Sequence, residues 1–303
     1  MKKSRKIAVI TAAAFITAGL IISLAAIFSA GFDFSKFNTD TLKEKVYTAP
    51  GEFHNIEINC AEFDIQILPS QDETCKIISW EGEELENSVE VENDTLKISN
   101  SNKRKWYEKI NITIGQARTV TVYLPKRDDA YGALAANSSS GNITLSADLE
   151  FESVNLISAS GDISAEFTKT YILYLQSTSG NVKADSTATS SIIAESKSGN
   201  TRLLDMDVIK ATAMSASGNI ILENVTAKET AKATTTSGDI KLKSFDANIY
   251  DLKTVSGDIK GTVKSPKSFK ASTVSGSVDV PSMSGPSMCS ASTTSGDIKI
   301  TVE

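Results

Sequence analysis

Two stretches near the end of the chain decide the fold: TTTSGDIKLK at residues 234–243 and STTSGDIKIT at residues 292–301. Each has a serine before a glycine and an aspartate after it. The same Ser-Gly corner recurs every 19 or 20 residues through residues 132–303. An uninterrupted repeat of this length is typical of a solenoid. The corner glycines are Gly141, Gly161, Gly180, Gly199, Gly218, Gly238, Gly257, Gly276 and Gly296.

Aligning the repeats on these glycines shows which positions face inward. The residue two after the glycine is β-branched in every repeat, and the positions around it alternate between apolar and polar, as strands with one buried face require. The residue three before the glycine is always serine or threonine, from Ser138 to Thr293. We expect these hydroxyls, and the serine directly before each glycine, to point inward and to bond the backbone.

The pattern predicts an all-β fold, a single-stranded β-solenoid (β-helix) with coils of 19–20 residues. A unit of this size cannot bury its own inner face, so each coil must stack on its neighbours at about 4.8 Å. We expect a right-handed coil, because parallel crossovers have that hand. Residues 132–303 form the regular β-solenoid, and residues 47–131 read as an irregular β N-terminal cap continuous with it.

The N-terminal end predicts a transmembrane helix that acts as a signal anchor. Residues 1–6 form a basic cytoplasmic tip, residues 7–32 carry no charge, and residues 33–46 read as a polar stalk. The uncharged stretch is long enough to span a bilayer, although a cleaved signal peptide is the alternative. The basic flank predicts a single-pass protein of the cell membrane, with the N-terminus inside and the C-terminal domain extracytoplasmic.

The charge and the cysteines narrow the classes of partner and cofactor. The 303 residues carry a net charge of −6. This total includes the basic tip, so the rest of the chain is more acidic, which argues against nucleic acid as a partner. The three cysteines Cys60, Cys75 and Cys289 show no metal or redox spacing, so no cofactor is predicted. They are either three buried thiols or include a bridge between Cys60 and Cys75.

The corner aspartates read as structural rather than as catalytic groups or metal ligands. Turn positions accept Asp, Asn and Ser alike, because all three bond nearby backbone, whereas a metal ligand or a catalytic acid does not tolerate that exchange. The single histidine, His54, reads as a surface residue. No unit exceeds 20 residues, so no long loop builds a cleft, and we predict a protein that is not an enzyme. The residues that follow the corner glycines are Asn142, Asp162, Asn181, Asn200, Asn219, Asp239, Asp258, Ser277 and Asp297.

Two surface features are candidates for binding. The first is a basic column three residues after the corner glycine, which offers a handle for an anionic wall polymer or else only keeps a flat sheet soluble. The second is the basic and aromatic stretch within NKRKWYEK, residues 102–109, which grips a partner or forms a hairpin tip paired with acidic residues. The basic column holds Lys183, Arg202, Lys241, Lys260 and Lys299. The second stretch holds Lys103, Arg104, Lys105, Trp106 and Tyr107.

These features together resemble a known family. The basic start, the apolar span that ends SAGFDFSKF, the VTVYLP strand and the Ser-Gly-Asp/Asn corners resemble the bacterial "putative adhesin" domain of unknown function, including the LiaG-like membrane-anchored proteins. The resemblance implies a membrane-tethered extracytoplasmic β-solenoid, linked in some members with cell-envelope stress. It supplies no catalytic residues.

The sequence therefore predicts a non-enzymatic, membrane-anchored β-solenoid that presents a rigid binding surface. Its partner would be an envelope protein, a wall polymer or a membrane-active antimicrobial peptide, in envelope stress response or adhesion. Two alternatives remain open: a β-helical carbohydrate-active enzyme, whose acids lie on the outer face of such rods, and a passive mechanical spacer.

Overall fold

A computed structural model describes residues 3–29, 31–32, 42–82, 85–102, 118–146, 148–282 and 284–303. Within these ranges the chain has one α-helix, α1 (Lys3–Ser29), and otherwise β-strands. The chain divides into two compact units, of which one contains α1 and the other comprises Glu44–Asn102 and Arg118–Glu303.

Helix α1 is long and apolar enough to cross a membrane over Thr11–Ser29, where the mean hydropathy is 2.2. A signal sequence near the N-terminus passes the same test. Two of its hydroxyl groups are satisfied within the helix, because Thr17 Oγ1 donates to the carbonyl of Ala13 and Ser23 Oγ to that of Gly19. Such internal bonding is what a hydrocarbon environment requires of polar groups.

The β-unit contains 22 strands, all in one sheet. In chain order they are β1 (Lys43–Thr48), β2 (Asn55–Cys60), β3 (Asp64–Pro69), β4 (Lys76–Glu81), β5 (Leu85–Glu92), β6 (Thr95–Asn102), β7 (Thr119–Leu124), β8 (Tyr131–Ser138), β9 (Ile143–Ser146), β10 (Glu150–Ser158), β11 (Ile163–Glu166), β12 (Lys169–Ser177), β13 (Val182–Asp185), β14 (Ala188–Ser196), β15 (Thr201–Ser215), β16 (Ile220–Thr234), β17 (Ile240–Lys253), β18 (Ile259–Val263), β19 (Lys267–Ser275), β20 (Val278–Asp279), β21 (Ser287–Ser295) and β22 (Ile298–Val302).

The strands stack in parallel as the rungs of a β-solenoid, which confirms the predicted fold class. On one face Ile143 pairs with Ile163, and Ile163 pairs with Val182. On another, β8, β10, β12 and β14 follow one another with a register of about one repeat between paired residues. Each of these inner rungs therefore bonds the rung above and the rung below. The hand of the coil stays a prediction.

The interior follows the predicted columns with one correction. The Ala/Leu and β-branched columns and the hydroxyl column three before the glycine are buried in the inner rungs, as at Ser158 and Ser177, whereas Val278 of the end rung is 45% exposed. The serine directly before the glycine is instead exposed, as at Ser160 and Ser237, so that part of the prediction was wrong. In β10 and β12 the strand ends at the inward hydroxyl residue, and the next two residues leave the sheet to form the corner, which ends the alternation.

At the N-terminal end the rungs are not stacked in sequence order. Strand β2 lies between β6 and β8, and β3 lies between β7 and β9, so the first rung in the sequence is an inner rung in space. Beyond it, β5 pairs antiparallel with β6, and β4 pairs antiparallel with β7. These antiparallel pairs form the irregular β cap.

The C-terminal end shows the same exchange. Strand β21 lies between β17 and β19, and β22 lies between β18 and β20. The last rung in the sequence therefore sits inside the stack, and the rung that precedes it, β19–β20, forms the end. The simple stacking order expected from the repeat is wrong here. Because every rung carries the same inward columns, the pattern alone cannot distinguish the two orders.

Candidate functional site

The corner glycines stand where two rungs approach most closely. A Cβ added to Gly161 would lie 2.0 Å from the carbonyl oxygen of Gly141 and 2.7 Å from the backbone nitrogen of Asn142. Neither atom belongs to a movable side chain, so any larger residue would push two rungs apart. The regular repeat of glycine thus follows from the rung spacing.

The residue after each glycine links its rung to the next through its side chain. The backbone N–H of Asp162 donates to Asn142 Oδ1 at 2.8 Å, and that of Asn181 donates to Asp162 Oδ1 at 2.6 Å. The same bond repeats along the stack, so these side chains form a ladder, called here the corner ladder. In spatial order it runs Asp64, Asn142, Asp162, Asn181, Asn200, Asn219, Asp239, Asp258, Asp297 and Ser277.

The buried hydroxyl column forms a second ladder behind the first. Ser158 Oγ donates to the carbonyl of Gly141 at 2.9 Å and accepts from the N–H of Gly161 at 2.9 Å. Ser177 repeats both bonds one rung further on. Each corner is therefore tied to its neighbour by side-chain bonds on both its outer and its inner side, which satisfies the buried polar groups.

The basic column lies on the outer face, and its register brings the cations together. Lys241 pairs with Lys260, which pairs with Lys299. Four of the five cations have a carboxylate partner: Lys183 contacts Glu166 and Asp185, Lys241 contacts Asp239, Lys260 contacts Asp258, and Lys299 contacts Asp279. Arg202 is exposed.

The carboxylate partners reduce the capacity of the basic column to bind an external anion. A hydrogen bond from Lys260 lowers the pKa of Asp258, and the same bond raises the pKa of Lys260, so both groups keep their charges at neutral pH. An external anion would have to compete with carboxylates that already contact these lysines, from two residues away along the chain or from a neighbouring rung. This arrangement favours a solubilising role over a polyanion handle.

The remaining predicted residues are the basic and aromatic stretch and His54. Lys103, Arg104, Lys105, Trp106 and Tyr107 fall outside the described residues. The ring of His54 is half exposed, with Nδ1 at 3.0 Å from Asp94 Oδ1. Within the described ranges, no group of three or more His, Cys, Asp or Glu side chains is placed to hold a metal ion.

The cysteines are three separate buried thiols, so Cys60 and Cys75 do not form a bridge. Burial raises the pKa of each of the three to about 12. A thiol with so high a pKa is almost wholly protonated at neutral pH and is a poor nucleophile or metal ligand.

A cavity of about 450 Å³ opens on the N-terminal cap, lined in part by Phe53, Cys75, Arg127 and Tyr131. Arg127 is already engaged, because its Nη1 donates to the carbonyl of Phe53 at 2.7 Å and its guanidinium lies 5.0 Å from the centre of the Tyr131 ring. Nε of the same side chain donates to Asp129. The cation therefore stabilises the cap.

A buried lysine near the C-terminal end was missed by sequence reasoning. Lys267 is 2% exposed, and its Nζ donates to Asp246 Oδ1 at 2.5 Å, to the carbonyl of Ala247 at 2.9 Å and to Ser265 Oγ at 2.7 Å. It also lies 5.2 Å from the centre of the Tyr250 ring. Its side chain extends from β19, in the end rung, past β21 towards β17. No sequence signal marks it, since the other lysines of the repeats are on the outer face.

A groove on a third face of the β-unit is the second feature that sequence reasoning missed. It has a volume of about 370 Å³ and is called here the Tyr171 groove. The floor is formed by an inward-facing column, and two columns of outer residues form its walls. Its lining residues are Glu150, Phe151, Lys169, Thr170, Tyr171, Ala188, Thr189, Ser190, Asp207, Val208, Ile209 and Lys228.

Solved structures similar to this chain are bacterial. A "putative lipid binding protein" from Parabacteroides distasonis has 14% identity and a TM-score of 0.51, covering 87% of this chain and 98% of that one. A "putative adhesin" from Bacteroides fragilis has 17% identity and a TM-score of 0.40, covering 86% and 97%. The likeness to the first shows a shared fold and nothing about ligands. No curated protein sequence matches the chain.

A match to a family model assigns the chain to a family. The model described as Toastrack DUF4097 matches residues 53–301, which includes the cap, all the corner glycines and both ends of the stack. The resemblance drawn from the Ser-Gly corners is thereby confirmed, and the chain belongs to the Toastrack DUF4097 family.

Proposed function

We propose that this protein is a non-enzymatic, membrane-anchored scaffold that holds a rigid β-solenoid binding surface outside the cytoplasmic membrane. The observation that carries the proposal is the corner ladder, which joins consecutive rungs from Asp64 to Ser277 by one kind of bond. Side chains on the outer faces are therefore held at fixed spacings. Such preorganisation favours binding, because little conformational freedom is lost when a partner docks.

The proposed membrane anchoring is based on α1 and on the basic residues before its apolar span. Lys2, Lys3, Arg5 and Lys6 precede the apolar span, and positive residues remain on the cytoplasmic side. The orientation that follows has the N-terminus inside and the β-unit outside. Deleting residues 11–29 should move the protein from the alkaline-resistant membrane fraction to the soluble fraction. Retention of the shortened chain in the membrane would contradict the anchor.

The partner would be an envelope protein, a wall polymer or a membrane-active peptide, with a role in envelope stress or adhesion. The names of the similar solved structures point to surface attachment and to lipid, but at 14–17% identity they support these roles only as proposals. The paired carboxylates in the basic column weigh against an anionic wall polymer at that position.

The test of this function is capture in living cells. The full chain, carrying a C-terminal tag, is cross-linked in intact cells and recovered from the envelope under denaturing conditions. We expect a reproducible covalent partner that is lost when the outer-face residues of its binding site are changed. Recovery of the chain alone, over repeated trials and cross-linker lengths, would contradict a binding scaffold.

A mechanical spacer is the second candidate function. The corner ladder supports it as well, because a rigid β-unit also holds a fixed length. Deleting residues 181–218 removes two whole units and joins equivalent corners. A spacer should lose function in proportion to length, whereas a binding scaffold should keep it or fail abruptly. Turnover of wall glycans by the purified chain would instead favour the enzyme alternative.

A further inference from the structure

We propose that the Tyr171 groove binds an extended peptide segment of a partner protein, with one apolar side chain inserted between Tyr171 and Ile209. Charged groups on either side of that side chain would meet Lys169 and Asp207. This inference rests on the proposed binding function and names the chemistry of the partner.

The middle of the groove contains a notch one rung wide. Its middle rung has only small residues at the surface, Ala188 and Ser190, over the buried floor residue Thr189. The rungs on either side present Tyr171 and Ile209. Two rungs are separated by about 9.6 Å, twice the strand spacing, which leaves room for one flat or branched side chain between them.

Its apolar walls are unusually exposed. The exposed fraction is 63% for Tyr171, 55% for the adjacent Ile172 and 39% for Ile209. At the position equivalent to Tyr171, neighbouring repeats have Glu152, Ser190 and Asn248. A large apolar side chain left in water at a position that accepts polar residues is typical of a contact surface. The exposure of Tyr171 and Ile209 therefore indicates that they contact a partner rather than pack within the β-unit.

The corner that begins the same strand carries a second unusual aromatic residue. Phe167 has φ of 54° and is 57% exposed. The equivalent residues one to four rungs away also have positive φ, but they are Ser186, Asp205, Asn224 and Ser244. These small polar residues accept this conformation more readily than a bulky side chain does. Strain of this kind concentrates at functional positions, so two solvent-exposed aromatic residues mark the same strand.

The charges along one wall alternate in sign. In rung order they are Glu150, Lys169 and Asp207, with Ala188 between the second and the third, and Lys228 lies at the end of the groove in the column of Tyr171 and Ile209. None of the four has an ion pair within the described part of the chain, in contrast to the lysines of the basic column. A ligand that carries both signs of charge around an apolar centre complements this wall.

An extended peptide fits these features better than a glycan or a bilayer does. The groove crosses five rungs, about 19 Å, which matches roughly six extended residues. Neutral or acidic glycans offer no cation to Glu150 and Asp207, and a planar lipid surface cannot enter a notch one rung wide. Peptide side chains supply apolar, acidic and basic groups at this spacing.

The test uses the full chain in nanodiscs and an array of immobilised hexapeptides. The central residue is Phe, Leu or Ser, flanked by Glu and Lys in either order or by Gly. We expect binding to Phe and Leu peptides with one preferred order of charges. Tyr171→Ser with Ile209→Ser should weaken binding about tenfold or more. Lys210→Ser, an exposed residue outside the groove lining and paired with Glu229, is the matched control and should bind as the wild type does.

A charge exchange makes the test independent of folding damage. Lys169→Glu combined with Asp207→Lys should reverse the preferred order of Glu and Lys in the peptide, an effect that mere loss of structure cannot produce. Equal binding of all peptides, no binding, or an unchanged order in the exchanged variant would overturn the inference. So would binding only to phosphatidylcholine vesicles or to peptidoglycan fragments. Cellular cross-links elsewhere on the β-unit would then leave the scaffold function standing.

Discussion

At the scale of single residues, the corner explains why the repeat tolerates some exchanges and not others. Glycine is required because the carbonyl of the next rung lies where a Cβ would be. The residue after it needs only a side-chain oxygen that accepts a backbone N–H, which Asn, Asp and Ser all have. This exchange predicts that Asp239 has a structural role. Only the structure shows that its side chain accepts the backbone N–H of Asp258.

Gly161→Ala should destabilise the β-unit by about 1–3 kcal/mol, because the added methyl group meets backbone atoms that cannot move independently. Urea unfolding followed by circular dichroism measures the change. Gly51→Ala is the control, since an added Cβ there has nothing within 4 Å. Equal stability of the two variants would show that the rungs are not held as closely as described.

Lys267→Met should lower the free energy of unfolding by about 3 kcal/mol, because it leaves Asp246 and the carbonyl of Ala247 without their cation. Lys270→Met, an exposed lysine of the same strand, is the control. The comparison is made by thermal and urea unfolding of both variants. A loss no larger than that of the control would mean that Lys267 does not hold the end rung.

The same cluster predicts a dependence on pH. Burial alone would raise the pKa of Asp246, but hydrogen bonds from Lys267 and Ser265 outweigh it and hold the pKa below the ordinary value. The ionised carboxylate therefore stabilises the folded state above the unfolded pKa of about 3.9, and this stabilisation disappears as pH falls through the lower folded value. The stability advantage of the wild type over Asp246→Asn should be constant near pH 7 and shrink below about pH 4. A constant difference down to pH 2 would contradict this.

At the scale of strands and rungs, the sequence predicts the repeat but not the order of stacking at the ends. The columns around Gly257, Gly276 and Gly296 are chemically equivalent, so either of the last two rungs could stack on β17 and β18. The structure places β21 and β22 there and leaves β19 and β20 outside. Both the first and the last rung in sequence thus have neighbours on two sides, so neither presents an unpaired edge.

Truncation after residue 286 tests this order. Because β21 and β22 lie between two other rungs, their removal should expose β17 on one side and β19 on the other. Hydrogen exchange should then quicken in residues 249–253 and in residues 267–275 together. Stacking in sequence order would leave residues 249–253 protected by β19, so unchanged exchange there would contradict the exchanged order.

At the scale of the whole molecule, composition and periodicity could predict a β-solenoid with an apolar N-terminal helix and a repeat without cofactor motifs. They could not predict the Tyr171 groove, because its lining residues come from five successive repeats and depend on which outer positions remain uncovered. Nor could they show that most cations of the basic column are neutralised, since Lys260 and Asp258 are ordinary neighbours in the sequence. The expected contact surface is therefore the Tyr171 groove rather than the basic column.

The most direct test is a scan with a photo-reactive phenylalanine analogue in intact cells. The analogue is placed at Ile172, an exposed residue beside the groove, at Lys241 in the basic column and at Ser179 on an exposed corner. We expect a discrete cross-linked partner from Ile172, a product that disappears with Tyr171→Ser, and little or none from the other two positions. Equal products from all three positions, or a product only from Lys241, would contradict the assignment of the Tyr171 groove as the contact surface.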